Sequence, residues 1–323
     1  MKVLLSYTSN PQTTASYLEK AMRKICEVIT HGPTISKEML RKWNLLAIEE
    51  RVRDHQIPFM NGDMKSVLNQ LPTGWDPDVF LFIDTGLYYS LTNMSALKCV
   101  KACYFIDSHL VFDLHLKLAR AFNVVFTAHK PAVEMFKERG IENVFWIPPA
   151  CDQEIHGKKT EEKLYDIGFV GTLNTGHNNE RAYLFNKLKQ RFHAYYERCF
   201  LEKMAEVFSQ SKIVFNKSVL NGLAMRVFEV LASGSMLLTD EAKGSGLTEL
   251  FQDRKHIVIY RNEKELLELA NYYLRNDDER EDIAIEGMEK VLKEHTYDHR
   301  AEEMIRTLSV FKKLRELETQ PTF

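Results

Sequence analysis

The chain has 323 residues, 45% hydrophobic and 27% charged, with 43 lysines and arginines against 45 aspartates and glutamates. A formal net charge of −2 gives no bulk electrostatic reason to expect nucleic acid or an anionic membrane as partner. The length suits two domains, no stretch reaches the ~18 apolar residues of a membrane span, and the apolar run in MKVLLSYTSN is too short for a signal peptide, so a cytoplasmic protein is expected.

The first element is the apolar run Lys2–Tyr7, a buried strand that ends in Thr8-Ser9-Asn10. Helical spacing follows over about 13–26, then a short strand at 27–30 and a charged helical region over 36–70. DVFLFI at 78–83 ends in Asp84-Thr85-Gly86, and the strand at 102–106 ends in Asp107-Ser108-His109. Strands at 124–127 and 144–147 flank a helix over about 130–138. Pro148-Pro149 and the polar run 152–163 mark the best boundary, placing one domain over 1–150 and a second over 151–299. The pattern restarts with DIGFV at 166–170, ending in Gly171-Thr172, and continues with strands at 212–215, 236–239 and 256–260. Asn262 with Glu265 reads as a capping box, and the chain from 277 to about 317 is helical and charged. Short apolar strands alternating with helices predict an α/β protein of two Rossmann-like halves with parallel sheets and a helical tail.

The stretch Ser211–Asp240 carries most of the functional signal. A strand leads into a polar loop with Asn216, Asn221 and Gly222, and then into an apolar helix that holds Arg226 and Glu229 and stops at Gly234. A glutamate among such neighbours needs partners, because an unpaired buried charge is costly. Helix starts present free N–H groups suited to phosphate. Together these predict a nucleotide site, with the glutamate on the two ribose hydroxyls. The competing structural reading is an i,i+3 ion pair between Arg226 and Glu229.

DIGFVGTLN (166–174), SKIVFN (211–216), MRVFEVLASG (225–234), GLTELF (246–251) and HTYDHR (295–300) occur in this order. In these motifs the second half resembles the CgeB-like (spore maturation protein) glycosyltransferases, within the nucleotide-sugar glycosyltransferases of the GT-B fold. The first half matches only in general layout. The resemblance implies two facing Rossmann-like domains, nucleotide-sugar donor on the second and acceptor mostly on the first, with the last helix (about 300–323) returning to the first. Many such enzymes carry two glutamates eight positions apart, near the donor sugar and on the ribose. Glu229 matches the second, but Asn221 stands at the first position, and its amide can hydrogen-bond a sugar without supplying charge.

Gly171, Thr172 and Asn174 end the first strand of the second half, where ligands of open parallel sheets bind, and a glycine there lets backbone approach phosphate. A strand-to-helix turn favours the same residues. Arg181, Arg226 and Asn216 are further candidates for diphosphate or sugar contact, and Arg226 could instead orient Glu229. In the first half, Asp107 and His109 are the candidate catalytic pair, placed to deprotonate or bind an acceptor hydroxyl, whereas an N-cap is the alternative for Asp107. Asp84 occupies a parallel position with no histidine near it in sequence, and His129 and His177 read as solvated loop residues. Phe192, Tyr195 and Tyr196 could wall a nucleobase or simply pack a helix.

No metal site is expected. Asp76-Pro77-Asp78 begins a strand rather than closing one, His295 and His299 lack the order of a zinc helix motif, and Cys99-x3-Cys103 has no second pair. The five cysteines suit free thiols in a reducing compartment. No cofactor beyond a nucleoside-diphosphate sugar is expected, and the absence of G-x-G-x-x-G after the first strand disfavours an NAD enzyme. The expected activity is transfer of a sugar to a hydroxyl-bearing acceptor. The alternatives are an epimerase of the same fold and a non-catalytic subunit that pairs with an active enzyme.

Overall fold

The computed structural model describes residues 1–173 and 179–319. The chain divides into two compact units, one built from residues 1–148 together with 298–323, the other from 149–297.

Unit 1 holds six parallel strands, β1 (Lys2–Ser6), β2 (Glu27–His31), β3 (Val79–Ile83), β4 (Val100–Phe105), β5 (Val124–Thr127) and β6 (Val144–Trp146), in the order β2-β1-β3-β4-β5-β6. Every residue of β3 and β5 is buried, as expected where helices cover both faces of a parallel sheet. The core on one face gathers Leu4, Phe80, Phe82, Phe105, Val125 and Phe136. The final helix, Tyr297–Thr319, lies in this unit from Asp298 onward. It is tied there by Arg300 Nε to the Pro148 carbonyl (2.9 Å), Arg315 Nη1 to the Cys99 carbonyl (3.0 Å), and ion pairs Lys24–Asp298 and Lys312–Asp78 (2.8 Å each). Asp78, from the Asp-Pro-Asp run, also accepts the Lys2 N–H and so anchors the start of β3.

Unit 2 holds β7 (Tyr165–Val170), β8 (Ala194–Glu197), β9 (Ser211–Asn216), β10 (Met236–Asp240) and β11 (Val258–Tyr260), all parallel, in the order β11-β10-β9-β7-β8. The edge strand β8 is absent from the sequence expectation. Its residues are only partly buried, so AYYE lacks the apolar run that marks the inner strands. Tyr195 and Tyr196 lie on this strand, stacked on Tyr165 and Phe169, while Phe192 packs on the core. The helix Met225–Ala232 ends at Gly234 (φ +71°), a conformation that glycine adopts without strain. At the helix Glu263–Tyr273 the Asn262 side chain accepts the Glu265 N–H, and Glu265 reaches back to the N–H of Arg261, one residue before that of a standard capping box. The helical tail breaks at His295-Thr296, between the helices Asp277–Glu294 and Tyr297–Thr319.

Among the described residues no helix is long and apolar enough to cross a membrane. The five cysteines are free thiols.

Candidate functional site

In unit 2 the chain reverses its direction of travel across the sheet between β7 and β9, which makes that pair the switch point where open α/β sheets take ligands. Gly171 and Thr172 follow β7, Asn216 ends β9, and the helix Met225–Ala232 follows the loop after β9. Arg226 joins these segments. Its Nε donates to the Val170 carbonyl (3.0 Å), its Nη1 to Asn216 Oδ1 (2.9 Å), and its guanidinium lies 4.6 Å from the Phe169 ring centroid. Gly171, at φ +130°, faces Nη2 so closely that a Cβ would stand 2.3 Å from it. Nη2 itself makes no hydrogen bond among the described residues. Burial, and then the charge of Arg181, pull the Arg226 guanidinium down to about 10, so it remains cationic near neutrality.

Glu229 follows Arg226 by one helical turn and is 7% exposed. Its carboxylate accepts no hydrogen bond from the described residues, and His156 Nε2 lies 3.6 Å away. Burial, offset in part by Arg226, raises the carboxyl from 4.5 to about 7. The surface ion pair that would explain these two residues structurally does not form, and neither does Arg226 orient Glu229 by direct contact. The guanidinium turns to β7 and β9 instead.

Two further candidates make contacts within the protein. Asn216 uses both ends of its amide, on Thr239 Oγ1 (2.9 Å) and on Arg226, and so positions the arginine. Arg181, buried in the helix Asn179–Lys189, directs Nε and Nη2 to the Lys217 carbonyl and Nη1 to the Thr172 carbonyl. These bonds pin the loops after β7 and β9 together. Asn221 stands on an exposed turn with φ +57°, a left-handed conformation that asparagine tolerates better than most residues. Asn174 and His177 lie outside the described residues. Sequence reading missed Asp240, whose carboxylate accepts from the Ser218 N–H and hydroxyl and pairs with Lys217, fixing the loop after β9.

In unit 1 the strand ends gather a second polar cluster. Asp84 follows β3 and is 2% exposed, and its Oδ2 lies 2.9 Å from Nε2 of the fully buried His115. This corrects the expectation that Asp84 has no histidine beside it: His115 comes from the helix Ser108–Ala119, 31 positions on. His115 Nδ1 meets Ser108 Oγ at 3.0 Å, and Ser108 Oγ meets Thr127 Oγ1 at 3.2 Å. The Tyr88 hydroxyl touches both Asp84 Oδ2 (3.2 Å) and His115 Nε2 (3.0 Å).

Asp107 begins the same helix, yet its side chain makes no capping hydrogen bond, which removes the N-cap explanation for it. The residue is open to solvent at the strand ends. The surrounding protein still withholds enough water, with the Asp84 charge adding to the effect, to raise the carboxyl from 3.8 to about 6. His109 and His129 pack ring against ring at 5.1 Å, so His129 is not the solvated loop residue expected. Burial lowers both, His129 to about 4, and leaves the two imidazoles neutral near pH 7. Their Nδ1 atoms have no hydrogen-bond partner among the described residues. Among the described residues, no group of three or more His, Cys, Asp or Glu side chains gathers to hold a metal ion.

Residues 162–306 match the protein-family model described as "Glycosyl transferase-like". No curated protein matches the chain in sequence. Among solved structures, Alr3699/HepE of Anabaena, crystallised with UDP and glucose, aligns over 96% of this chain and 100% of its own, at 11% identity and a TM-score of 0.65. An alpha-glucosyltransferase in complex with UDP and a 13-mer DNA containing a HMU base aligns over 96% and 99%, at 12% identity and a TM-score of 0.63. Sucrose-phosphate synthase from Thermosynechococcus elongatus aligns over 97% and 99%, at 9% identity and a TM-score of 0.59. The second unit thus matches a glycosyltransferase-like family, and the whole chain has the α/β fold of two parallel sheets found in GT-B glycosyltransferases.

Proposed function

We propose that the protein is a metal-independent glycosyltransferase that moves a sugar from a nucleoside-diphosphate sugar to a hydroxyl-bearing acceptor in the cytoplasm, within or near the CgeB-like group. Unit 2 takes the donor and unit 1 the acceptor. The observation that carries this reading is Glu229, a buried carboxylate with no hydrogen-bond donor among the described residues, one helical turn from an arginine whose Nη2 is also unpartnered. Such a carboxylate is suited to the paired hydroxyls of a ribose, and such an arginine to a diphosphate. UDP, found with the solved glycosyltransferases of this fold, is the first nucleotide to test.

In this proposal the acceptor O–H attacks the anomeric carbon and the bond from that carbon to the diphosphate oxygen breaks, its electron pair leaving with the nucleotide. The acceptor proton goes to Asp107. Of the two candidates for the base, Asp107 suits the task better, because its raised pKa makes it a stronger base than an ordinary aspartate, whereas burial weakens His109. His109, with its unpartnered Nδ1, then binds a substrate hydroxyl. Arg226 and the amides after β7 stabilise the charge that develops on the diphosphate.

The test is nucleotide binding by calorimetry across UDP, GDP, TDP and CDP, followed by product analysis with the matching sugar nucleotides. One diphosphate should bind the wild type and bind Glu229→Ala at least about tenfold more weakly. Equal binding to a folded Glu229→Ala variant would remove the assignment.

A further inference from the structure

We propose that unit 1 carries a subsite for an amphiphilic acceptor, a small molecule with an aryl or alkyl body joined to a hydroxyl-bearing head. The inference rests on the glycosyltransferase reading and narrows its acceptor. A cavity of about 450 Å3 opens between the helix Ser108–Ala119 and the segment that follows β3. One wall is Leu114, Lys117 and Leu118 on the helix, with Ala121 in the turn that ends it. These positions recur at the i, i+3, i+4, i+7 spacing of a single helix face. Across from them stand Tyr89, Leu91 and Met94, and Phe82 and Phe122 stack behind at 6.2 Å between ring centroids.

The lining is mostly carbon, with Ser90, Lys117 and the tyrosines as its polar members. Tyr88 lines the cavity, and its hydroxyl reaches Asp84 and His115 in the buried network. That network belongs to the same strand ends as Asp107, whose charge acts on Tyr88. A mostly apolar cavity of this size, with few polar groups in its lining, is the form of a small-molecule site rather than of a protein interface. A polysaccharide would set most of its hydroxyls against carbon, with Ser90 and Lys117 as the polar lining beside the two tyrosines, at a desolvation cost. An aryl or alkyl group gains by burial there, and its hydroxyl end is directed to Tyr88 and the Asp107 side of the sheet.

The experiment measures binding to the full chain by calorimetry, without nucleotide, for 2-naphthol, octyl β-glucoside (below its micelle concentration) and maltotriose. The variants are Ala121→Trp, which fills the cavity from an exposed position, and Ala121→Glu, which charges it, each checked for fold by circular dichroism. Both amphiphiles should bind the wild type at least about tenfold more tightly than maltotriose, and each folded variant should lose most of that preference. Nucleotide affinity, measured on the same samples, should not change. That separate readout distinguishes failure of the subsite from failure of the glycosyltransferase reading. The proposal is overturned by no binding of either amphiphile, by a preference for maltotriose, or by variants that bind the amphiphiles as the wild type does.

Discussion

Gly171 and Arg226 are fitted to each other: a Cβ at position 171 would stand 2.3 Å from Arg226 Nη2, and the glycine holds φ +130°. A side chain at 171 would therefore meet both a clash and a backbone conformation unfavourable to L-residues. Gly171→Ala should displace the guanidinium from its seat over Phe169 and weaken nucleotide diphosphate binding at least about tenfold, with a stability loss of roughly 1–3 kcal/mol. Calorimetric titration and a thermal melt of the same variant check both. Unaltered diphosphate affinity in a folded Gly171→Ala protein would mean that Arg226 does not serve the phosphates.

Glu229 should leave a signature in pH. Its folded pKa, about 7, is above the 4.5 of a free glutamate, so the folded state holds the proton more tightly than the unfolded state does. Its contribution to stability is therefore complete below pH 4.5 and is lost as pH rises through 7. The shift corresponds to about 3 kcal/mol at most. Glu229→Gln, which cannot ionise, should lack that decline, so the difference in unfolding free energy between variant and wild type should grow in favour of the variant from pH 5 to pH 8. Parallel curves across that range would show that the carboxyl is not shifted. Nucleotide affinity should run the opposite way in the wild type and improve toward pH 8, since ribose hydroxyls donate to the ionised form.

Asp107→Asn should reduce transfer by a factor of about 100 or more while leaving the nucleotide dissociation constant within about twofold. In the wild type kcat/KM should fall on the acid side with a midpoint near 6, where the carboxyl takes up its proton. A full-strength Asp107→Asn enzyme with the same acid limb would place the base on another group.

The Asp84–His115 pair is a stability element with a clear genetic test. His115→Ala would take one partner from a carboxylate that is 2% exposed and keeps the Gly86 N–H and the Tyr88 hydroxyl, at a cost of about 1–3 kcal/mol. Adding Asp84→Asn to His115→Ala should recover part of that loss, because the buried carboxylate that lost the imidazole is gone. Chemical denaturation of the two single variants and the double variant measures the coupling. Strict additivity would argue against direct interaction.

The strands were legible where burial on both faces writes a continuous apolar run, as in VFLFI of β3 or MLLT of β10. The edge strand β8 lacked that signature because its side chains are half solvated. The strand ends were legible as well, since Gly171, Asn216 and Asp107 each interrupt an apolar run with a residue that can bind something. Their partners were not. His115 reaches Asp84 only because the helix after β4 returns across the end of β3, and the Asn216–Arg226 contact depends on the path of the loop between them. Nor did the sequence show that Arg181 would turn its guanidinium onto the carbonyls of its own loops, because main-chain acceptors leave no trace in residue identity.

The first unit to leave the ribosome is the last to be finished. Residues 1–148 are synthesised before 149–297, but the strap that grips Pro148, Asp78 and Cys99 comes from the final helix. At ordinary synthesis rates of about 5–20 residues per second, the first sheet waits roughly 10–35 seconds without it. During that interval the intervening unit, contiguous in the chain, is free to complete its own sheet first. A released chain truncated at residue 297 should therefore protect the later sheet from protease and leave the earlier one open.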